Sequence, residues 1–185
     1  MSEKTLPFPR GKTYADGVVT LDVTTYDTAK HLEGTIHEVE DTVHGTGEKV
    51  FLRIVKNESG AAITAARKLF YFGVSALDFG RRILGLTFAA GQVCKPLDDG
   101  YPIGFSIPDG DLFYVVEKGL CDILLEPTAV ALSQGDAVTC DTQGFLDGAV
   151  AGAGEYVVGQ IDVDAAVVSA TVAVHVNGGL ANSEA

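Results

Sequence analysis

The sequence has no tryptophan, one methionine and 3 cysteines in 185 residues. Without tryptophan, the aromatic side chains left to stack a sugar are Tyr71, Tyr101, Phe105, Tyr114 and Tyr156. The cysteines, Cys94, Cys121 and Cys140, are odd in number and form no C-x-x-C pair, which argues against a disulfide framework or a thiolate zinc site. They read as free, buried thiols. Positive charge is scarce as well. There are 13 Lys and Arg against 25 Asp and Glu, a net charge of −12, with no basic cluster beyond Arg67-Lys68 and Arg81-Arg82. Nucleic-acid binding depends on neutralising phosphates, so this balance speaks against a DNA or RNA partner. No apolar run approaches the ~18 residues of a membrane helix, so no membrane partner is expected. The opening MSEKTLPFPR lacks the basic-then-apolar order of a secretion signal, and synthesis in the cytoplasm is expected.

Reaction signatures are missing too. There is no G-x-S-x-G elbow, no phosphate loop G-x-x-x-x-G-K-[ST], and no G-x-G-x-x-G opening a helix after a strand.

What the sequence does have is β-forming residues and turn chemistry. It is 46% hydrophobic with 22 glycines, and Val, Ile, Thr and aromatic residues recur in short runs between Gly, Asp, Asn and Pro. The predicted class is all-β, a small β-barrel or β-sandwich body. Strands are expected at 48–56, 61–72, 82–89, 111–116, 120–125, 137–140, 156–162 and 170–176. Residues 103–119 and 158–178 each run from an apolar-Gly opening through an acidic turn into a dense β run, and read as equivalent hairpins on opposite sides of the body.

Residues 1–45 differ from the body at 46–180 and the short tail at 181–185. Their apolar residues are too thinly spread to build a core, so they read as an extended N-terminal arm suited to strand addition on a neighbour. The expected assembly contacts are Leu6, Phe8, Tyr14, Val18, Leu21, Val23 and Tyr26.

Three stretches invite chemistry. In SQGDAVTCDTQGFL (133–146), Asp136 and Asp141 read as turn caps around a short strand. Cys140 has acidic sequence neighbours that raise a thiol pKa rather than activate it. His31, His37 and His44 stand six and seven residues apart, which fits no H-x-H or H-E-x-x-H ligand pattern, and they read as surface histidines. Asp98-Asp99-Gly100 and Asp162-Val163-Asp164 offer hard oxygens but complete no calcium loop. No catalytic residue, cofactor or metal is expected.

The C-terminal half resembles the capsid-decoration family of tailed bacteriophages. The matching pieces are Pro102-Ile103-Gly104-Phe105, Val116-Glu117-Lys118-Gly119, Ser133-Gln134-Gly135-Asp136-Ala137-Val138, Asp141, Gly144, Val158-Gly159 and Val172-Ala173-Val174-His175-Val176, within residues 50–179. The resemblance implies a non-enzymatic β-barrel-like protein on the outer surface of the virion. Its implied partners are the major capsid protein and neighbouring decoration subunits, commonly in homotrimers. The alternatives are a carbohydrate- or receptor-binding module of a phage surface fibre and a small β-barrel enzyme. The enzyme would need a cleft in which Asp136, Cys140 or a histidine converges with a second titratable group.

Overall fold

A computed structural model describes residues 6–14, 32–64, 66–72, 80–83, 92–126, 132–149, 156–162 and 171–177. Within them the chain is all-β, with twelve strands: β1 (Ile36–Glu40), β2 (Lys49–Asn57), β3 (Ile63–Thr64), β4 (Leu69–Tyr71), β5 (Arg82–Ile83), β6 (Cys94–Pro96), β7 (Ser106–Ile107), β8 (Leu112–Leu124), β9 (Ala137–Cys140), β10 (Leu146–Gly148), β11 (Gly159–Ile161) and β12 (Thr171–Val176).

The principal sheet runs β1-β2-β8-β12-β11-β9-β10, with β5 added to β2, while β3/β7 and β4/β6 form separate two-stranded ladders. β8 is its spine. Residues 112–118 pair antiparallel with β2, and 119–124 pair antiparallel with β12. Past β8, Leu125 bridges to Leu146 of β10, and Glu126 N–H donates to Leu146 O at 2.8 Å. The pairings β8-β12-β11-β9-β10 thereby close into a ring. Among the described residues, the opposite end of the sheet is β1. The core lies over the buried face of these strands and includes Val50, Leu52, Ile54, Phe113, Val115, Ile123, Val138, Val158 and Val174.

Several strand expectations change in detail. The strands expected at 111–116 and 120–125 are one continuous element, because a bulge between Phe51 and Leu52 in the pairing absorbs Glu117 and lets β8 run through Lys118-Gly119. Gly119 takes φ +119°, and a side chain there would meet the Lys49 carbonyl at 3.0 Å. The single strand expected at 61–72 is broken into β3 and β4 by Arg67, whose backbone is left-handed at φ 52°. The two supposedly equivalent hairpins are not equivalent. β12 does fold back on β11, but β7 pairs with β3, and β8 and β12 are sheet neighbours rather than opposite walls. In the strand expected at 82–89, only Arg82 and Ile83 lie among the described residues.

The largest correction concerns the arm. Residues 6–14 lie on the chain's own body. Phe8 is 6% exposed and stacks on Tyr114 with ring centroids 4.3 Å apart. The Tyr114 hydroxyl donates to the Phe8 carbonyl at 2.8 Å, and the Tyr101 hydroxyl donates to the Lys12 carbonyl at 2.8 Å. Thr13 donates to buried Asp111 at 2.8 Å, and Tyr14 bridges Leu112 by a reciprocal backbone pair. Arg10 forks onto Asp98 through Nε and Nη2 at 2.9 and 2.6 Å. Two glycines permit the crossing. A side chain at Gly100 would stand 2.7 Å from Arg10 Nε, and one at Gly11 would stand 2.6 Å from the Gly100 carbonyl. Low apolar density misled the reading, because one buried ring and a set of long-range hydrogen bonds anchor this segment without a hydrophobic run. Residues 32–45 also belong to the body, since β1 is a strand of its main sheet.

Candidate functional site

A dense grouping of titratable side chains among the described residues is built where the β1–β2 hairpin loop meets β8. Asp41, just past β1, folds the loop: its Oδ1 accepts the N–H groups of Val43 and His44 at 3.1 and 3.0 Å, and its Oδ2 stands 3.0 Å from His44 Nδ1. That contact turns His44 Nε2 away from the loop, to 3.3 Å from Asp122 Oδ1 and 3.5 Å from Asp99 Oδ2. Asp99 has a fully buried side chain that accepts the Asp122 N–H at 3.0 Å and Arg10 Nη2 at 3.0 Å. Arg67, held in its left-handed conformation, brings Nη1 to 3.7 Å from Asp122 and 4.0 Å from Asp99.

Four carboxylates (Asp41, Asp98, Asp99, Asp122) are thus grouped with His44 and two guanidiniums, so the group carries −2 with His44 neutral and −1 with it charged. Burial by itself lowers the His44 pKa, but Asp99, the hydrogen bond to Asp122 and Asp41 outweigh it and raise it above the ordinary value. Burial raises the Asp41 carboxyl, and the hydrogen bonds and charge of His44 reverse this, holding it low. Asp99 is pushed up by burial, with Asp98 adding to the effect. His44 Nε2 and one oxygen each of Asp99 and Asp122 lie within 4.8 Å of one another. Arg67 already brings positive charge against both carboxylates, so the arrangement works as an ion-pair clamp that favours the protonated form of His44.

The sequence reading left His44 as a surface histidine, and its partners lie 55 and 78 positions away, where no local spacing rule reaches. Only the Asp41/His44 spacing of i,i+3 was available as a signal. His37 donates to or accepts from Thr35 Oγ1 at 3.0 Å within the same hairpin, and His31 lies outside the described residues.

The stretch 133–146 forms the β9–β10 hairpin. Asp136 caps the entering turn by accepting the Ser133 N–H at 2.8 Å, and Asp141 accepts the N–H groups of Gln143 and Phe145 at 2.7 Å each. Burial pushes the Cys140 thiol up, and Cys94 and Asp141 push it further. Burial does the same to Cys121, so neither offers a ready thiolate. Asp98 and Asp99 are engaged by Arg10, and Asp162 lies 2.8 Å from His175 Nε2.

A second charged group underlies the sheet. Glu117, from the β8 bulge, pairs with Arg53 at 2.7 Å and lies 3.8 Å from Lys95, whose Nζ donates to the carbonyls of Glu117 and Asn177 at 3.2 and 2.7 Å. Burial lowers the Lys95 pKa, with Glu117 opposing. Beside it is an open cleft of about 810 Å³ lined by Lys49, Phe51, Lys118, Tyr156, His175 and Asn177, among others. No Ser, Thr or Cys lines it to serve as a nucleophile.

The expected assembly residues divide three ways. Phe8 is in the core, Leu6 and Tyr14 pack against it half-buried, and Val18, Leu21, Val23 and Tyr26 lie outside the described residues. Of the aromatic residues proposed as sugar platforms, Tyr101, Tyr114 and Tyr156 are buried, which leaves Tyr71 and Phe105 partly exposed. The fold and its charged groups define an all-β protein whose titratable clusters are ion-paired. No family model matches the sequence, and no curated protein matches it.

Proposed function

We propose that the chain is a non-enzymatic structural protein that decorates and stabilises the outer surface of a tailed-phage capsid, binding the major capsid protein and neighbouring copies of itself, as a trimer at three-fold positions. It is made in the host cytoplasm and resides on the virion. One observation carries this reading: the motifs resembling decoration proteins coincide with the framework of the body and include no reactive constellation. Ser133–Asp136 is the capped turn before β9, Glu117 is the β8 bulge, and Val172–Val176 is β12. The net charge of −12 favours the outside of a head packed with like-charged DNA.

The contact surface in this reading includes the body. Residues 6–14 are committed to their own chain and are not free to reach a neighbour.

Mass spectrometry and cryo-electron microscopy of purified particles of the encoding phage test the proposal. The chain should be present in shell-like copy number at external capsid density, and particles lacking it should release DNA at a lower temperature. Its absence from particles, or an unchanged release temperature with unchanged composition, overturns the proposal.

A further inference from the structure

The two ends of the principal sheet are finished differently. β10 is closed by the Leu125–Leu146 bridge, whereas nothing among the described residues pairs with the outer edge of β1. The backbone register shows which groups that edge presents. Ile54 N–H donates to Thr35 O and Asp41 N–H donates to Glu48 O, both within the register Ile36↔Arg53 to Glu40↔Lys49. In an antiparallel ladder, alternate residues direct both backbone groups to the same side. Thr35, His37, Val39 and Asp41 therefore bond to β2, and the N–H and C=O groups of Ile36, Glu38 and Glu40 point outward.

The side chains of these same three residues share one exposed face. Ile36 is 47% exposed, and with Val43 in the adjoining loop it supplies two of the three large hydrophobic residues exposed among those described. β1 has no proline, lysine or bulge, devices that commonly block an exposed edge.

We propose that the outer edge of β1 is a strand-addition site for an extended segment of a neighbouring protein carrying Lys or Arg at alternate positions. Ile36, Glu38 and Glu40 supply the backbone bonds, Glu38 and Glu40 face the basic side chains, and Ile36 packs an apolar one. The charge pattern decides between partners. A second copy pairing antiparallel about Glu38 sets Glu38 against Glu38, and a parallel in-register copy sets each glutamate against itself; like charges directly opposite are destabilising. A basic strand turns both positions into attractions, with Glu38 shared between the incoming cation and Lys49 at 3.8 Å, and on a chain of net −12 it also approaches down a favourable field. The inference deepens the proposed function by naming the gripping surface, and its choice of a capsid-type neighbour rests on that reading.

The test uses the full chain with an alternating lysine–valine hexapeptide, its glutamate–valine counterpart as control, and amide hydrogen exchange read by NMR. In the free protein the amides of Ile36, Glu38 and Glu40 should exchange fast while those of His37 and Val39 are protected. Adding the basic peptide should protect the first three, and the acidic peptide should not. Glu38→Pro deletes one outward donor and leaves the β2 ladder intact, so it should weaken the basic peptide by about tenfold. Glu38→Lys with Glu40→Lys should reverse the preference toward the acidic peptide, which gives a second readout should the proline variant misfold.

Outward amides already protected in the free chain, equal binding of both peptides, or concentration-dependent dimerisation through β1 would each overturn the proposal. A failed particle experiment with a positive peptide result removes the phage assignment alone; the reverse outcome removes the edge.

Discussion

Residues 6–14 and strand β1 come from the same charged, sparsely apolar first quarter of the chain, and the fold uses them in opposite ways. The first crosses the core as irregular chain, yet it buries Phe8 and Thr13 and ties Arg10 to Asp98. The second is regular β-structure, yet three of its five residues face solvent and nothing among the described residues pairs with its outer edge. Secondary structure and commitment to the body are therefore separable. A segment is held by what its few large or charged side chains meet, and a strand can remain available to a partner while fully paired on one side.

Four measurements would break or sharpen this contrast. The largest effect should come from detaching the first segment. Phe8→Ala removes a buried ring stacked on Tyr114, at about 3–5 kcal/mol. Arg10→Ala leaves Asp98 buried without its partner, also at about 3–5 kcal/mol. Urea unfolding should show both, and losses below about 1 kcal/mol would mean that residues 6–14 are peripheral to stability. Next is Tyr114→Phe, which deletes the hydroxyl bonded to the Phe8 carbonyl and should cost about 1–2 kcal/mol.

The third measurement is a pH scan of the melting temperature. His44 titrates higher in the folded chain than in the unfolded one, so its contribution is complete below about pH 6.5 and is lost as pH rises through the raised value. Asp41 titrates lower when folded, so its contribution is present above the ordinary carboxyl value and is lost in acid. Asp99 acts in the opposite sense to Asp41: burial raises its carboxyl in the folded chain, so its contribution is present in acid and is lost as pH rises through the raised value. His44→Gln should flatten the alkaline decline, and an unchanged profile would place the pH dependence elsewhere. The smallest effect belongs to the outer edge of β1: Glu38→Lys replaces an exposed ion pair with Lys49 at 3.8 Å by a like-charge contact and should cost no more than about 1 kcal/mol while altering peptide preference. A larger loss would show that β1 is structurally engaged.

Much of the body was legible in the sequence. Alternation in KVFLRIVKN fixed β2, the Gly135-Asp136 turn and AVTC fixed β9, and TVAVHV fixed β12. β1 was missed because IHEVE offers only two apolar residues, and its pairing with β2 supplies what composition did not. The candidate site was almost wholly illegible. His44 gains its meaning from Asp99 and Asp122, which arrive through the 98–99 turn and the spine of the sheet.

By itself the sequence determined the all-β class, the turn positions and the strongly acidic charge, because these follow from local backbone preference and from counting. Tertiary structure alone decided that Phe8 is core, that Arg10 and His44 are held by distant carboxylates, and that one end of the main sheet closes while, among the described residues, nothing pairs with the other. Those outcomes depend on which groups meet across long loops, and the free energy of burying a ring or a charge is fixed only once its neighbours are in place.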